Sequence, residues 1–146
     1  MESLLALAFL LDAQLVCAKV YVNHLNALFE EKPDDNFLLD LQWCTYDTSK
    51  TIQLIFTNSR INIIDYSIFG KFLMERLGEV YRQYENLEDF SSKVISIWGK
   101  LPEEILQIEP FWSMSYAGEP LTWGGTEQTR EIFEKMFNHY RAEEEG

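Results

Sequence analysis

Positive charge is in short supply: 12 Lys and Arg stand against 24 Asp and Glu, for a formal charge of −12. The basic residues are scattered singly. Phosphates would be repelled by the mean field and would find no Lys/Arg cluster as a local exception, which excludes nucleic acid and anionic lipid as direct partners. Cysteine is nearly missing too, with only Cys17 and Cys44. Two cysteines make no disulfide framework and no zinc spacing, so they read as reduced, buried thiols, consistent with a cytoplasmic location. His24 and His139 are the only histidines, one near each end of the chain, and neither belongs to a metal-ligand pattern.

Signatures of chemistry are equally sparse. There is no Gly-x-Ser-x-Gly elbow, and Ser49-Lys50-Thr51 lacks the preceding glycines of a phosphate-binding loop. The carboxylate pairs Glu88–Asp89 and Glu103–Glu104 are adjacent in sequence, and adjacent residues do not project together from a helix. No catalytic residue, metal or cofactor is assigned. A long hydrophobic run is absent as well: Asp12, Lys19, Asn23 and His24 interrupt the apolar start, which would need about 20 predominantly apolar residues to cross a membrane. Glu2 occupies the place where a secretory leader carries positive charge, so the segment reads as structure in the mature protein.

What is present is core-forming material. Apolar residues make up 47% of 146 positions, enough for one ordinary core, and 14% aromatics are incompatible with a disordered chain. The expectation is one globular domain over residues 1–146, with 142–146 as a frayed acidic tail.

Residues Glu2 to Glu31 contain no Gly or Pro and repeat apolar residues at Leu4, Leu7, Leu11, Leu15, Ala18, Val22, Leu25 and Phe29, which predicts one long helix. Pro33, Asp34, Asp35 and Asn36 end it. Leu39, Leu41, Trp43 and Thr45, then Ile52, Leu54 and Phe56, alternate with other residues around the turn Asp47 to Lys50, and this reads as a β-hairpin. Asp34 and Asp35 before Phe37 also suit the start of a short helix, which would make the fold entirely helical. Helical spacing resumes over Asn62 to Tyr84, with Gly70 and Gly78 on one face suggesting close approach by a neighbour. A helix over Phe90 to Trp98, ended by Gly99, and a short helix started by Leu101-Pro102-Glu103-Glu104 follow. Phe111 to Tyr116 alternates like a third strand, Trp123 lies between turns, and Thr126 opens a C-terminal helix whose inner face is Ile132, Phe133, Met136, Phe137 and Tyr140. The fold class expected is α+β in one layered domain, with an all-α fold as the alternative.

With chemistry unsupported, binding is the function that the composition favours. Trp and Tyr anchor protein interfaces, and acidic loops dock Lys or Arg. The candidate partner-binding residues are Tyr116, Glu119 and Trp123 in the aromatic stretch, and Asp34, Asp35, Glu88 and Asp89 in the acidic loops. The partner expected is a basic protein, such as a toxin or nuclease, whose active surface is masked. In this general character the chain resembles bacterial immunity proteins and antitoxins, small acidic domains without catalytic residues. A small enzyme or ligand-binding domain, and an oligomer built on the N-terminal helix, are the other readings.

Overall fold

The Asp35 carboxylate accepts hydrogen bonds from the backbone amides of Phe37 and Leu38, at 2.9 and 3.4 Å, and so starts a helix where alternation suggested a strand. This arrangement comes from a computed structural model that describes residues 1–58 and 64–145. Among them every regular element is helical, so the fold is all-α and the α+β expectation is corrected.

Two expected strand regions account for the correction, and the first helix is revised as well. The expected hairpin is the helix pair α3 (Asn36–Trp43) and α4 (Thr48–Asn58). Asp47, placed in the hairpin turn by the sequence pattern, accepts the Lys50 amide at 3.0 Å and helps start α4. The expected third strand is a short helix, Phe111–Tyr116, followed by a 3-10 turn over Glu119–Trp123. The expected long first helix is two: α1 (Glu2–Asp12) and α2 (Ala18–Glu31).

No Gly or Pro divides α1 from α2; a hydrogen-bonded cap does. The Gln14 amide returns to the Leu11 carbonyl at 3.0 Å and the Leu15 amide to the Leu10 carbonyl at 2.9 Å. This pair of bonds satisfies the last carbonyls of the helix and requires a left-handed residue between them. Gln14 takes that conformation, with φ 62°, where glycine is usual.

The chain divides into two compact units, Met1–Phe69 and Gly70–Gly146. In the first unit α1 packs on α2 and α4, and every residue from Leu4 to Leu10 is buried. A fully buried leucine contributes about 1.5–3 kcal/mol, so this run is a principal source of the unit's stability. The Phe9 ring meets Phe56 and Phe69 edge-on at 6.2 and 5.9 Å. Two polar bonds fix α1 to its neighbours: Ser3 Oγ with His24 Nε2 at 2.7 Å, and Thr48 Oγ1 to Asp12 Oδ1 at 2.6 Å. Below α2, Tyr21 is 1% exposed, and its hydroxyl has no hydrogen-bond partner among the described residues. Burial, with the Cys44 thiol nearby, pushes its pKa up to about 12. The Thr51 side chain opposes the shift, and its hydroxyl also donates to the Cys44 and Asp47 carbonyls at 3.0 Å.

Helix α5 (Tyr66–Gln83) begins where Asp65 accepts the Ser67 and Ile68 amides, at 3.0 and 3.2 Å, and runs into the second unit. Asn62, the start expected from the sequence, lies outside the described residues. The second unit continues with α6 (Leu87–Trp98), α7 (Phe111–Tyr116), α8 (Thr126–Phe137) and α9 (His139–Glu145). A 3-10 turn at Glu103–Ile105 replaces the short helix expected there. Gly99 caps α6, as its position implied. Of the two glycines of α5, Gly70 sits under a neighbour too close for a side chain, while Gly78 has room for a Cβ in ordinary contact. A Cβ at Gly70 would lie 2.7 Å from Tyr140 Cζ, and one at Gly78 would lie 3.5 Å from the Phe137 ring. Phe90 and Phe133 meet edge-on at 5.1 Å, with Tyr81 against both, at the centre of this unit's core.

A glycine at position 14 would remove the steric cost of the left-handed backbone, roughly 1–2 kcal/mol, less the entropy a glycine adds to the unfolded chain. Gln14→Gly is therefore expected to stabilise the protein by about 0.5–1 kcal/mol, read as a rise of about 2–3 °C in thermal midpoint. A fall in the midpoint would show that α1 and α2 are one continuous helix.

Candidate functional site

Once α3 is helical, its apolar residues divide between two faces. Leu38 and Leu41 turn inward and are buried, as is Cys44 after the helix end. Leu39 and Trp43, four residues apart on the opposite face, are 42% and 82% exposed, and Tyr46 in the following turn is fully exposed. A large apolar residue exposed singly needs no explanation, but an indole, a phenol and a leucine exposed within eight residues form a patch of the kind used for association. Asp34, Asp40 and Asp47 are exposed in the same segment. Asp35 is half-buried, with one carboxylate oxygen committed to capping α3, so it builds the surface instead of facing outward from it.

The second unit places the other candidates unequally. Asn86 caps α6 by accepting the Asp89 amide at 3.0 Å. The Asp89 carboxylate accepts the Tyr84 hydroxyl and pairs with Lys93 Nζ at 3.5 Å, while that ammonium lies 5.6 Å from the centre of the Tyr84 ring. The Tyr84 hydrogen bond, with help from Lys93, holds the Asp89 carboxyl below the ordinary value of 3.8. Asp89 is thus engaged within its own unit. Glu88, its neighbour, lines a groove instead, together with Glu119.

Trp123, at the end of the 3-10 turn that carries Glu119, is 66% exposed. Tyr116 is half-buried, its ring edge-on to Trp112 at 6.2 Å. Trp112, in the segment expected as a third strand, is 42% exposed and meets Trp98 edge-on at 6.0 Å.

Trp43 and Tyr46 were the aromatic residues that sequence reasoning missed, because alternation placed them in a hairpin. The signal that could have found them was the pair Asp35 and Asp47, each at the start of a short segment with helical spacing. Cys17 also departs from expectation: it is exposed at the residue preceding α2, whereas Cys44 is buried. His24 bonds Ser3, and His139 lies edge-on to Tyr140 at 5.0 Å. Among the described residues, no group of three or more His, Cys, Asp or Glu is placed to hold a metal ion, and no helix is long and apolar enough to cross a membrane. No family model, no curated protein and no solved structure matches the chain.

A carboxyl whose pKa is depressed on folding contributes stability that is present above its unfolded value and lost as pH falls through the folded one. For Asp89 that loss belongs below pH 3.8. Tyr84→Phe should return the Asp89 titration toward its ordinary value, seen in the side-chain carboxyl signal by NMR, and shrink the acid loss of stability in that window. An unchanged Asp89 titration would show that the phenol does not hold it.

Proposed function

We propose that the chain is a non-catalytic interaction module that masks a basic surface of a partner protein, as an inhibitor or a bacterial immunity or antitoxin-type protein would. One observation carries the reading: Trp43 and Tyr46 stand almost wholly in water, with Asp34, Asp40 and Asp47 exposed in the same segment of the chain. Interface hot spots are enriched in Trp and Tyr, because a large rigid ring buries much area at little entropic cost. Projecting side chains of this kind suit a concave partner, and the surrounding carboxylates suit one whose rim is basic. The net charge of −12 speeds encounter with such a surface by steering.

An oligomer built on the first helix has less support, since Leu4 to Leu10 are already buried within the chain.

The test is affinity isolation from the source cells with the wild-type chain and with Trp43→Ala, followed by binding measurements on the partner recovered. The expected partner is basic, and Trp43→Ala weakens its binding at least about 30-fold, the effect of losing a hot spot of about 2 kcal/mol. Raising salt should slow association. A partner that binds the Trp43→Ala chain as well as the wild type, at a rate indifferent to salt, would contradict the proposal.

A further inference from the structure

Within the second unit, α6, α7 and the 3-10 turn at Glu119–Trp123 enclose a groove of about 490 Å³. That volume lies inside the roughly 300–1,000 Å³ typical of pockets that take one small ligand. The groove exists because residue 118 is glycine: a Cβ there would stand 2.7 Å from Ser91 Cβ, so only glycine lets the turn approach α6 this closely. Its lining is mainly apolar, with Ile95, Met114 and Leu121 contributing, and Ile95 is 47% exposed. Of its polar side chains, Ser92, Ser115 and Thr122 are uncharged hydroxyls, and three others give it character. Glu88 and Glu119 bring two carboxylates from different elements, and Ser91 is 9% exposed, its buried Oγ lacking a hydrogen-bond partner among the described residues. A buried hydroxyl left unpaired is costly, and a ligand donor or acceptor reaching it would offset part of that cost.

We propose that this groove binds a small organic cation with an apolar body, of the alkylammonium or arylammonium class. The apolar lining takes the hydrocarbon, and the two carboxylates select positive charge and reject negative. No cation lines the groove, so its charge is uncompensated locally. A protein segment is the less favoured occupant, because a stable protein interface covers about 800 Å² per partner, far more than a groove of this size supplies. Two further concavities of this unit are less suited: one lined by Lys71, Arg82 and Arg141 with Glu75 is only about 200 Å³, below the range of small-ligand pockets, and one beside the groove, sharing Glu88 and Leu121 with it, is an open hollow lined by Glu85 and Asn86. The proposal is independent of the partner-binding surface on α3 and goes beyond it.

The test is titration of the isotope-labelled protein with hexylammonium, hexanol and hexanoate, followed by NMR. Hexylammonium should produce saturable shifts at Ile95, Met114 and Leu121, hexanol weaker ones, and hexanoate none. A Glu88→Gln, Glu119→Gln double variant should bind hexylammonium about 3–10-fold more weakly, as expected for two solvent-exposed charge contacts, and leave hexanol unaffected. Hexanoate binding as tightly as hexylammonium, or a double variant that holds the amine as tightly as the wild type, would overturn the proposal. Shifts produced by a Lys-bearing apolar peptide but not by hexylammonium would overturn it in favour of a protein segment.

Discussion

The hydrogen bonds from the Phe37 and Leu38 amides to Asp35 decide more of this molecule than any other contact. A helix begins with four unpaired amides, and an eight-residue helix has too few internal bonds to leave them unsatisfied. With the cap in place, Leu38 and Leu41 fall on the buried face, and Leu39 and Trp43 on the exposed one. In a strand, Leu39, Leu41 and Trp43 would share one face, and the exposed aromatic surface would not exist. The local choice of cap therefore sets both the fold class and the candidate interface.

The acidic excess has more than one use. Asp35, Asp47 and Asp65 start helices, each accepting backbone amides of the turn that follows it. Asp12 and Asp89 make side-chain bonds within their own units. What remains on display is a smaller set: Asp34 and Asp40 are exposed in the segment that carries Trp43 and Tyr46, while Glu88 and Glu119 border the groove of the second unit. Net charge alone counts all these residues alike; position separates those that shape the chain from those that face a ligand.

Several features were legible in the sequence for physical reasons. The boundary at Gly99 and the close approach at Gly70 rest on residues with distinctive backbone properties, whereas Thr126 opens α8 as its first residue, behind Gly125 at the cap position and with no side-chain cap bond. Positions 37–57 misled because they carry apolar residues at both the two-residue and the three-to-four-residue spacing, and only the caps discriminate. The break at Gln14 was invisible, since it occurs at a residue that does not advertise a left-handed backbone and depends on bonds made by Leu10, Leu11 and Leu15. The groove was legible only as scattered acids: Glu88 and Glu119 are 31 residues apart, and Gly118 brings their elements together. Trp123 was rightly singled out as exposed, because turns flank it on both sides.

The account stands or falls on which side chains of residues 36–47 meet water. Solvent paramagnetic relaxation, measured by NMR with an inert soluble probe, reads this residue by residue. The account predicts strong enhancement at Leu39, Trp43 and Tyr46, and protection at Leu38, Leu41 and Cys44. Enhancement that alternates every second residue, with Leu39, Leu41 and Trp43 protected together, would contradict it.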